Sequence, residues 1–291
     1  MNGIIIINKP QNCTSHDIVY KLKKIVNEKV GHTGTLDPMA TGVLPLLIGK
    51  GTLCSKYLIN HDKTYEVKLK LGIKTTTADI EGNIIEEKEV PKDVLKKESI
   101  ENILNQFLGK QKQMPPIYSA IKVNGKKLYE YARKGQIVDI EPRNIEIYGI
   151  ELLKIDEKEN IIEFRVKCSK GTYIRSLCED IASKLETVGH MCALNRIQVG
   201  EFNIDDSITI EELENEIQSD FKNVENKIIK IEDIFRENKQ INLNDRKLEL
   251  FLNGVKITQN YEEGIYKIYN SNKFIGTGIV KDNLLKRDVV L

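Results

Sequence analysis

A run of twelve residues rich in turn formers, GHTGTLDPMATG at positions 31–42, constrains this chain more than any other segment. It contains three glycines and one proline, and neither residue type supports a regular helix or strand. Asp37 directly precedes Pro38, and a residue before proline is restricted to extended backbone angles. The run is therefore predicted to be a shaped loop that presents one carboxylate, which suits a nucleophile or a general base. A turn or N-cap aspartate is the alternative interpretation.

The composition is that of a globular protein. The chain has 291 residues, of which 40% are hydrophobic and 30% are charged, so it can form one large domain and one small domain. The apolar run at residues 4–7 is much too short for a membrane span or a signal sequence. We therefore expect a cytoplasmic location.

The cysteines and histidines indicate neither a metal site nor a disulfide framework. The five cysteines are odd in number and no two form a C-x-x-C pair, so we interpret them as buried free thiols. The four histidines do not cluster in sequence, which argues against a metal-dependent nuclease.

The net charge of +1 is unevenly distributed along the chain. Residues 1–200 carry 31 Lys and Arg against 25 Asp and Glu, whereas residues 201–291 carry 13 against 18. Residues 21–29 and 122–134 are locally basic. Binding to phosphates needs a local positive surface and no high global charge. Solvated helix faces would explain the same charges.

Hydrophobic periodicity predicts strands and helices that alternate without regular βαβ spacing. This favours an α+β fold with a mixed, mostly antiparallel central sheet flanked by helices. The predicted strands are residues 4–8, 43–48, 65–71, 144–155, 161–168 and 194–202. The predicted helices are one that begins after Thr14 or Ser15, and residues 52–59, 99–108 and 172–185, the last capped by Thr172. Residues 110–143 are predicted to be a long functional loop. A helix-like acidic connector follows at 205–220, and then a smaller unit with a helix at 243–252 and strands near 265–269, 274–280 and 287–290.

Five segments of the sequence, taken in order, match the motifs of one family. They are residues 8–10 (NKP) with Thr14 and Ser15, residues 31–45 (GHTGTLDPMATGVLP), residues 63–65 (KTY), residues 115–120 (PPIYSA) and residues 170–175 (KGTYIR). Together they resemble the TruB family of tRNA pseudouridine synthases, whose members isomerise one uridine in the T-loop of tRNA. The resemblance covers residues 3 to about 205 well and the remainder weakly.

The resemblance implies a fold and a reaction. It implies a pseudouridine synthase catalytic domain over residues 1–235, with an RNA-clamping loop at about 112–143, and a small β-rich PUA-like domain over residues 238–291. The reaction would convert the uridine at position 55 of tRNA to pseudouridine, by base flipping and Asp-dependent cleavage and re-formation of the glycosidic bond. No cofactor is expected, because no redox step occurs and no atoms are gained or lost.

The resemblance also implies partners. The T stem-loop of tRNA is the expected partner, and we expect no membrane contact, no obligate protein partner and a monomer. The alternative function is a catalytically silent protein that binds or folds tRNA. The presence of all the proposed catalytic residues argues against that alternative.

Three residues match catalytic positions of the family. Asp37 resembles the nucleophile, and Arg175 resembles the arginine that pairs with it and keeps it ionised. Tyr65 resembles the tyrosine that stacks on the flipped uracil and is a candidate for moving a proton. A surface arginine and an ordinary core tyrosine are the alternatives for Arg175 and Tyr65.

Four further residues match substrate-binding positions. His32 resembles the histidine that takes the place of the flipped base, although a histidine that only braces the loop is the alternative. Tyr173 and Leu194 resemble residues of the pocket wall. Lys9 resembles a lysine that supports the catalytic loop.

Residues 122–134 are predicted to clamp the RNA. Five basic residues are interleaved there with two tyrosines, which suits contact with the RNA backbone together with base stacking, and four of them, Lys122, Lys126, Lys127 and Arg133, are the predicted clamp residues. We expect this segment to be poorly ordered without RNA.

The sequence departs from the family pattern at two positions. Asn12 stands where glycine is usual, and asparagine tolerates left-handed backbone geometry, so the turn is expected to survive. Asn195 stands where arginine is usual, so one phosphate or structural contact near the pocket is expected to be missing.

Overall fold

The structure, a computed structural model, describes residues 1–136, 138–219 and 221–291. The strands are β1 (Gly3–Lys9), β2 (Val30–His32), β3 (Thr41–Ile48), β4 (Lys63–Leu71), β5 (Ile73–Thr75), β6 (Ile84–Glu87), β7 (Gly109–Gln113), β8 (Lys122–Val123), β9 (Lys126–Lys127), β10 (Arg143–Asp156), β11 (Ile161–Cys168), β12 (Gly189–Val199), β13 (Phe202–Asn203), β14 (Gln240–Asn242), β15 (Ile257–Thr258), β16 (Gly264–Asn270), β17 (Lys273–Lys281) and β18 (Leu284–Val290). The helices are α1 (Ser15–Val26), α2 (Ser55–Leu58), α3 (Lys97–Asn105), α4 (Leu128–Ala132), α5 (Ile174–Lys184), α6 (Ile210–Ser219), α7 (Phe221–Asn226), α8 (Ile231–Ile234) and α9 (Asp245–Leu252).

One nine-stranded sheet organises the larger part of the chain. Its order is β1-β3-β12-β4-β11-β10-β7, with β2 paired to β3 and β13 paired to β12. The pairing of β12 with β3 is parallel, and the other pairings in this sheet are antiparallel. The predicted α+β class with a mixed, mostly antiparallel sheet is therefore confirmed.

Strand β4 lies inside this sheet and shows why its sequence alternates. Tyr65, Val67 and Leu69 are buried in the main hydrophobic core. Between them, Lys68 is exposed on the opposite face. Successive side chains of a strand point to opposite faces, so the alternation places Tyr65 on the core side of the sheet.

The two predicted helix starts have different outcomes. Thr14 caps α1 through a capping box with Asp17, as the sequence predicts. Thr172 does not cap α5, because its hydroxyl donates to the Ser169 carbonyl at 2.9 Å and Tyr173 occupies the N-cap position. Arg175 nevertheless lies in the first turn of α5, as expected.

The turn-rich run at 31–42 is a loop only in its middle. Its first two residues belong to β2 and its last two to β3, so the prediction that it excludes strands is wrong at both ends. Gly42 shows the reason: a Cβ there would lie 2.2 Å from the backbone oxygen of Arg196, on the neighbouring strand β12. Glycine is kept in this strand because a second backbone approaches it closely.

Other boundaries also differ from the sequence-based expectation. The predicted loop at 110–143 begins with edge strand β7, whose GKQKQ sequence has no apolar alternation to reveal it. Ile137, inside the same predicted loop, and Asp220, at the end of the predicted connector, lie outside the described residues. Asn12 has a φ of 62°, so the left-handed turn expected there is confirmed.

The C-terminal residues form a second, five-stranded sheet with the order β14-β16-β17-β18-β15. This sheet and α9 enclose a core of their own, which includes Ile268, Leu285 and Phe251. The unit packs on the rest of the chain through a small buried cluster that includes Val289, Cys54 and Phe235, of which Cys54 and Phe235 lie outside the larger sheet. Strands β14 and β15 were not predicted, because three and two residues are too short to show a period. In the described part of the chain no helix has the length and hydropathy needed to span a membrane.

Candidate active site

The loop between β2 and β3 is held in place by contacts with the N-terminal segment. Lys9 is fully buried, and its Nζ donates to the carbonyls of Pro10 and Cys13 at 2.8 Å each and to that of Pro38 at 3.3 Å. The Ser15 hydroxyl accepts from the Leu36 amide at 2.9 Å. These contacts lie on both sides of Asp37 in sequence, so the backbone that carries its carboxylate is fixed.

Arg175 binds the Asp37 carboxylate through two of its nitrogens. Its Nε lies 3.1 Å from Oδ2, and its Nη2 donates to Oδ1 at 3.4 Å. The same guanidinium donates to the carbonyls of Thr77 and Tyr118 at 3.1 and 3.0 Å. This fork geometry is specific to arginine and orients the carboxylate as well as neutralising it.

A second carboxylate, Asp79, shares Arg175 and was missed by the sequence analysis. Its Oδ2 lies 3.4 Å from Nη1 of Arg175, and its side chain is 4% exposed. Its Oδ1 accepts from the Thr77 hydroxyl at 2.5 Å and from the Glu81 amide at 3.1 Å. The available signal was the run TTTADIEG at 75–82, which has turn composition and offers nothing to mark one carboxylate as special. Ala78 has a φ of 61°, an uncommon angle for alanine that fits a functional turn.

Burial and neighbouring positive charges act in opposite directions on the pKa values of the groups in the pocket. Burial raises the pKa of the Asp37 carboxyl above its ordinary value, and Arg175 opposes this by favouring the ionised form. The negative charge of Asp79 adds to the increase. Burial also raises the pKa of Tyr65, to about 12, so its phenol is protonated at neutral pH.

The structure brings most of the predicted site residues to one cavity. Asp37, Tyr65, Arg175, Tyr173 and Leu194 all line it. The backbone of Tyr173 is held by Gln113 on β7, which donates to its carbonyl at 3.0 Å and accepts from its amide at 2.8 Å. The cavity therefore combines a carboxylate, an arginine, a phenol and apolar walls, which can hold a planar polar ring beside a nucleophile.

His32 and Lys9 do not line this cavity. His32 is half-buried, and its Nδ1 accepts from the Gly34 amide at 3.3 Å. Its pKa is lowered by burial and then by the charge of Arg196, which favours the neutral ring. In this position His32 braces the loop. The ammonium of Lys9 is buried against carbonyl oxygens, one of them that of Pro38 in the loop, and the grouping of Lys9 with the substrate-binding residues stays a prediction.

The predicted clamp is a small hairpin, β8–β9, followed by α4. Two of the four predicted clamp residues, Lys127 and Arg133, line the cavity that contains Asp37, and each lies 5.4 Å from the ring centre of Tyr129. Lys122 lies on β8 and Lys126 on β9, where both are exposed. The clamp therefore has a face toward the cavity and a face toward solvent.

Arg196 is a second residue that the sequence analysis missed. It is 1% exposed, and its guanidinium donates to the carbonyls of Val43, Thr35 and Gly34 at 2.8, 3.4 and 3.1 Å. Its neighbour Asn195 accepts from the Thr41 hydroxyl at 3.1 Å, so this position still contacts β3. In a sequence, a buried arginine looks like any other strand arginine.

No set of three or more His, Cys, Asp or Glu side chains in the described ranges is arranged to hold a metal ion.

Comparison with protein families covers most of the chain. A model described as the N-terminal domain of TruB family pseudouridylate synthase matches residues 22–174. A model described as the C-terminal domain of tRNA pseudouridylate synthase B matches residues 175–235. Each of the two matches includes one member of the Asp37–Arg175 pair.

Curated relatives are similar over their whole length. A Clostridium tetani protein named tRNA pseudouridine synthase B is 44% identical over 285 residues, which cover 96% of this chain and 95% of the relative. A protein of the same name from Caldanaerobacter subterraneus is 42% identical over 98% of both chains. Among solved structures, one titled as a Cbf5-Nop10-Gar1 complex matches 99% of this chain and 83% of the other, with a TM-score of 0.70 and 25% identity.

Proposed function

Since the chain belongs to the TruB family of pseudouridylate synthases, we infer that it isomerises uridine to pseudouridine in tRNA. The observation that carries the chemistry is the Asp37 carboxylate, bound by Arg175 at 3.1 Å in a cavity with a tyrosine and apolar walls. The reaction is an isomerisation: the C1′–N1 bond of the nucleotide breaks, the uracil turns, and a C1′–C5 bond forms. The nucleotide neither loses nor gains an atom in these steps.

Asp37 is proposed as the nucleophile. An ionised carboxylate can attack C1′, attack C6 of the base, or assist elimination to a glycal. All three routes require the carboxylate to be ionised. Burial works against ionisation, so the positive charge of Arg175 is needed to keep the carboxylate reactive. Arg175 also blocks free rotation of the carboxylate by binding both of its oxygens.

Tyr65, Tyr173 and Leu194 are proposed to receive the base. A uridine inside a folded tRNA loop has to leave its stack before a carboxylate inside a cavity can reach it. Tyr65 then stacks on the uracil and is the candidate group for moving a proton, while Tyr173 and Leu194 form walls of the cavity. His32 is proposed to fill the vacated position, although its contact with the Gly34 amide gives it a bracing role in the free protein.

The T stem-loop, with its uridine at position 55, is the proposed target. Lys127 and Arg133 lie at the cavity, and Lys122 and Lys126 lie on the outer part of the same hairpin, which supports a clamp over RNA. We further propose that residues 1–235 form the catalytic domain and residues 238–291 a PUA-like domain, because each encloses its own hydrophobic core. A cytoplasmic monomer without an obligate protein partner is also proposed, and light scattering and cell fractionation test it.

The deciding experiment is incubation of the purified protein with an unmodified tRNA transcript, followed by carbodiimide mapping of pseudouridine. We expect one new stop in the T-loop that is absent with Asp37→Asn, while Asp37→Asn still binds the transcript. Asp205→Asn, which removes an exposed carboxylate far along the chain, is the matched control and should behave as the wild type. Tight binding without any stop would instead support a protein that only binds or folds tRNA. Equal product from Asp37→Asn would overturn the assignment of the nucleophile.

A further inference from the structure

Arg196 is buried in an unusual electrostatic position. It is among the largest fully buried side chains, and no ion pair identified in the described part of the chain includes it. Its three protein acceptors are neutral carbonyl oxygens. Burying a charge without a counter-ion is costly, so an arginine here needs a reason beyond packing.

Tyr65 lies directly opposite Arg196 in the sheet. The two residues are paired Cα to Cα across β4 and β12, so their side chains share one face. Both side chains line the same cavity and each influences the pKa of the other, so the Tyr65 hydroxyl lies within reach of a hydrogen bond from the guanidinium. A guanidinium has only donors, so the Tyr65 oxygen has to accept in this bond. The hydroxyl proton of Tyr65 is then directed elsewhere, and Tyr65 lines the catalytic cavity.

The same guanidinium fixes the catalytic loop. Two of its bonds go to the carbonyls of Gly34 and Thr35, which lie three and two residues before Asp37. Its Nε is anchored on the Val43 carbonyl of β3 at 2.8 Å. One planar group therefore holds the loop that carries Asp37 and lies beside the tyrosine that pairs with it on β4.

We propose that Arg196 is a positioning residue. It holds the Tyr65 hydroxyl as a hydrogen-bond donor facing the base, and it fixes the position of that hydroxyl relative to the loop that carries Asp37. This inference rests on the proposed function. As the C1′–N1 bond breaks, its electron pair moves onto the uracil, and negative charge develops at the carbonyl oxygens of the ring. A hydroxyl that is already held beside the ring as a donor stabilises that charge without reorganisation. A phenol with a pKa of about 12 is suited to this role because it keeps its proton at neutral pH.

Lysine cannot replace Arg196 in this arrangement. Its ammonium carries a charge but offers three donors from a single atom, whereas the contacts of Arg196 are spread over a planar fork. Arg196→Lys therefore keeps the positive charge and removes the orientation. The variant therefore distinguishes an effect of the orientation of the guanidinium from an effect of its positive charge.

The test is the single-turnover rate of pseudouridine formation at saturating tRNA. For Arg196→Lys we expect a loss of about 100-fold, the lower end of what the loss of one preorganised donor costs, with tRNA affinity unchanged within about twofold. In a Tyr65→Phe background the same substitution should cost less than about threefold, because the group on which Arg196 acts is gone. Arg165→Lys is the matched control, since Arg165 lies on neighbouring β11, is 41% exposed, and pairs with Glu66 and Glu151.

A second measurement keeps the proposal testable even if Arg196→Lys fails to fold. The side-chain N–H resonances of Arg196 are followed by NMR in the wild type and in Tyr65→Phe. We expect an Nη–H resonance to shift, while the Nε–H resonance, bonded to Val43, stays in place.

Three results would overturn the proposal: an equal rate loss in both backgrounds, a loss confined to tRNA affinity, or unmoved Nη–H resonances. If the wild type makes no pseudouridine at all, the proposed function fails. The NMR comparison still reports on the contact between Arg196 and Tyr65.

Discussion

Removing the Arg175 guanidinium should destabilise the protein mainly through Asp79 and less through Asp37. Both carboxylates contact Arg175, but the side chain of Asp79 is 4% exposed whereas that of Asp37 is 33% exposed. In Arg175→Met, Asp37 can recruit water, and Asp79 is left as a buried charge without its cation. The carbonyls of Thr77 and Tyr118 also lose a donor.

The magnitude follows from these contacts. Breaking a buried ion pair by removing one partner costs about 3–5 kcal/mol, and we expect Arg175→Met to lower the free energy of unfolding by that amount. This is a large fraction of the ~5–15 kcal/mol that stabilises a typical domain. Adding Asp79→Asn removes the stranded charge, so the double variant should regain at least about half of the loss. Arg165→Met breaks exposed ion pairs only and should cost at most about 1 kcal/mol.

The assay is urea unfolding followed by circular dichroism and tyrosine fluorescence, since the chain contains no tryptophan. We compare the urea midpoints of unfolding of the single variants, the double variant and the Arg165→Met control. A shifted midpoint with an unchanged m-value reports a change in the free energy of unfolding. A loss below about 1 kcal/mol in Arg175→Met would refute the idea that Asp79 is a buried charge that depends on Arg175. A double variant no more stable than Arg175→Met would refute the assignment of the loss to Asp79.

Two further predictions concern activity and dynamics. Burial raises the pKa of Asp37, and the ionised form is the proposed nucleophile, so the single-turnover rate should fall tenfold per pH unit on the acid side, and the pH at half-maximal rate should lie above the ordinary pKa of aspartate. Arg175→Met removes the favourable charge and should move the pH at half-maximal rate to a higher value. A half-maximal rate at the ordinary pKa of aspartate would contradict the burial argument. Amides of residues 122–134 should exchange quickly with solvent in the free protein and slowly in the tRNA complex, and slow exchange without RNA would exclude a mobile clamp.

Local sequence patterns determined much of the fold. The alternation around Tyr65 in β4, the capping box at Thr14 and the glycine and proline content around Asp37 act over a few residues, so they can be recognised without the rest of the chain. The same locality explains the failures. Edge strand β7 has no apolar period, and Thr172 uses its hydroxyl on Ser169 instead of on the helix.

Asp37 could be proposed as the nucleophile before the fold was known because the segment around it resembles the catalytic motif of the TruB family, whereas composition alone leaves a turn or N-cap aspartate equally open. Its environment was decided only by the tertiary structure. Arg175 lies 138 residues from Asp37 along the chain, and the carbonyls that Arg196 contacts lie more than 150 residues before it.

Asp79 and Arg196 have ordinary sequence contexts, so neither could be singled out before the fold was known. Their importance comes from burial and from the partners that distant strands bring to them. Charge, solvation and hydrogen-bond geometry depend on distances in space, and a sequence records only the order of residues along the chain.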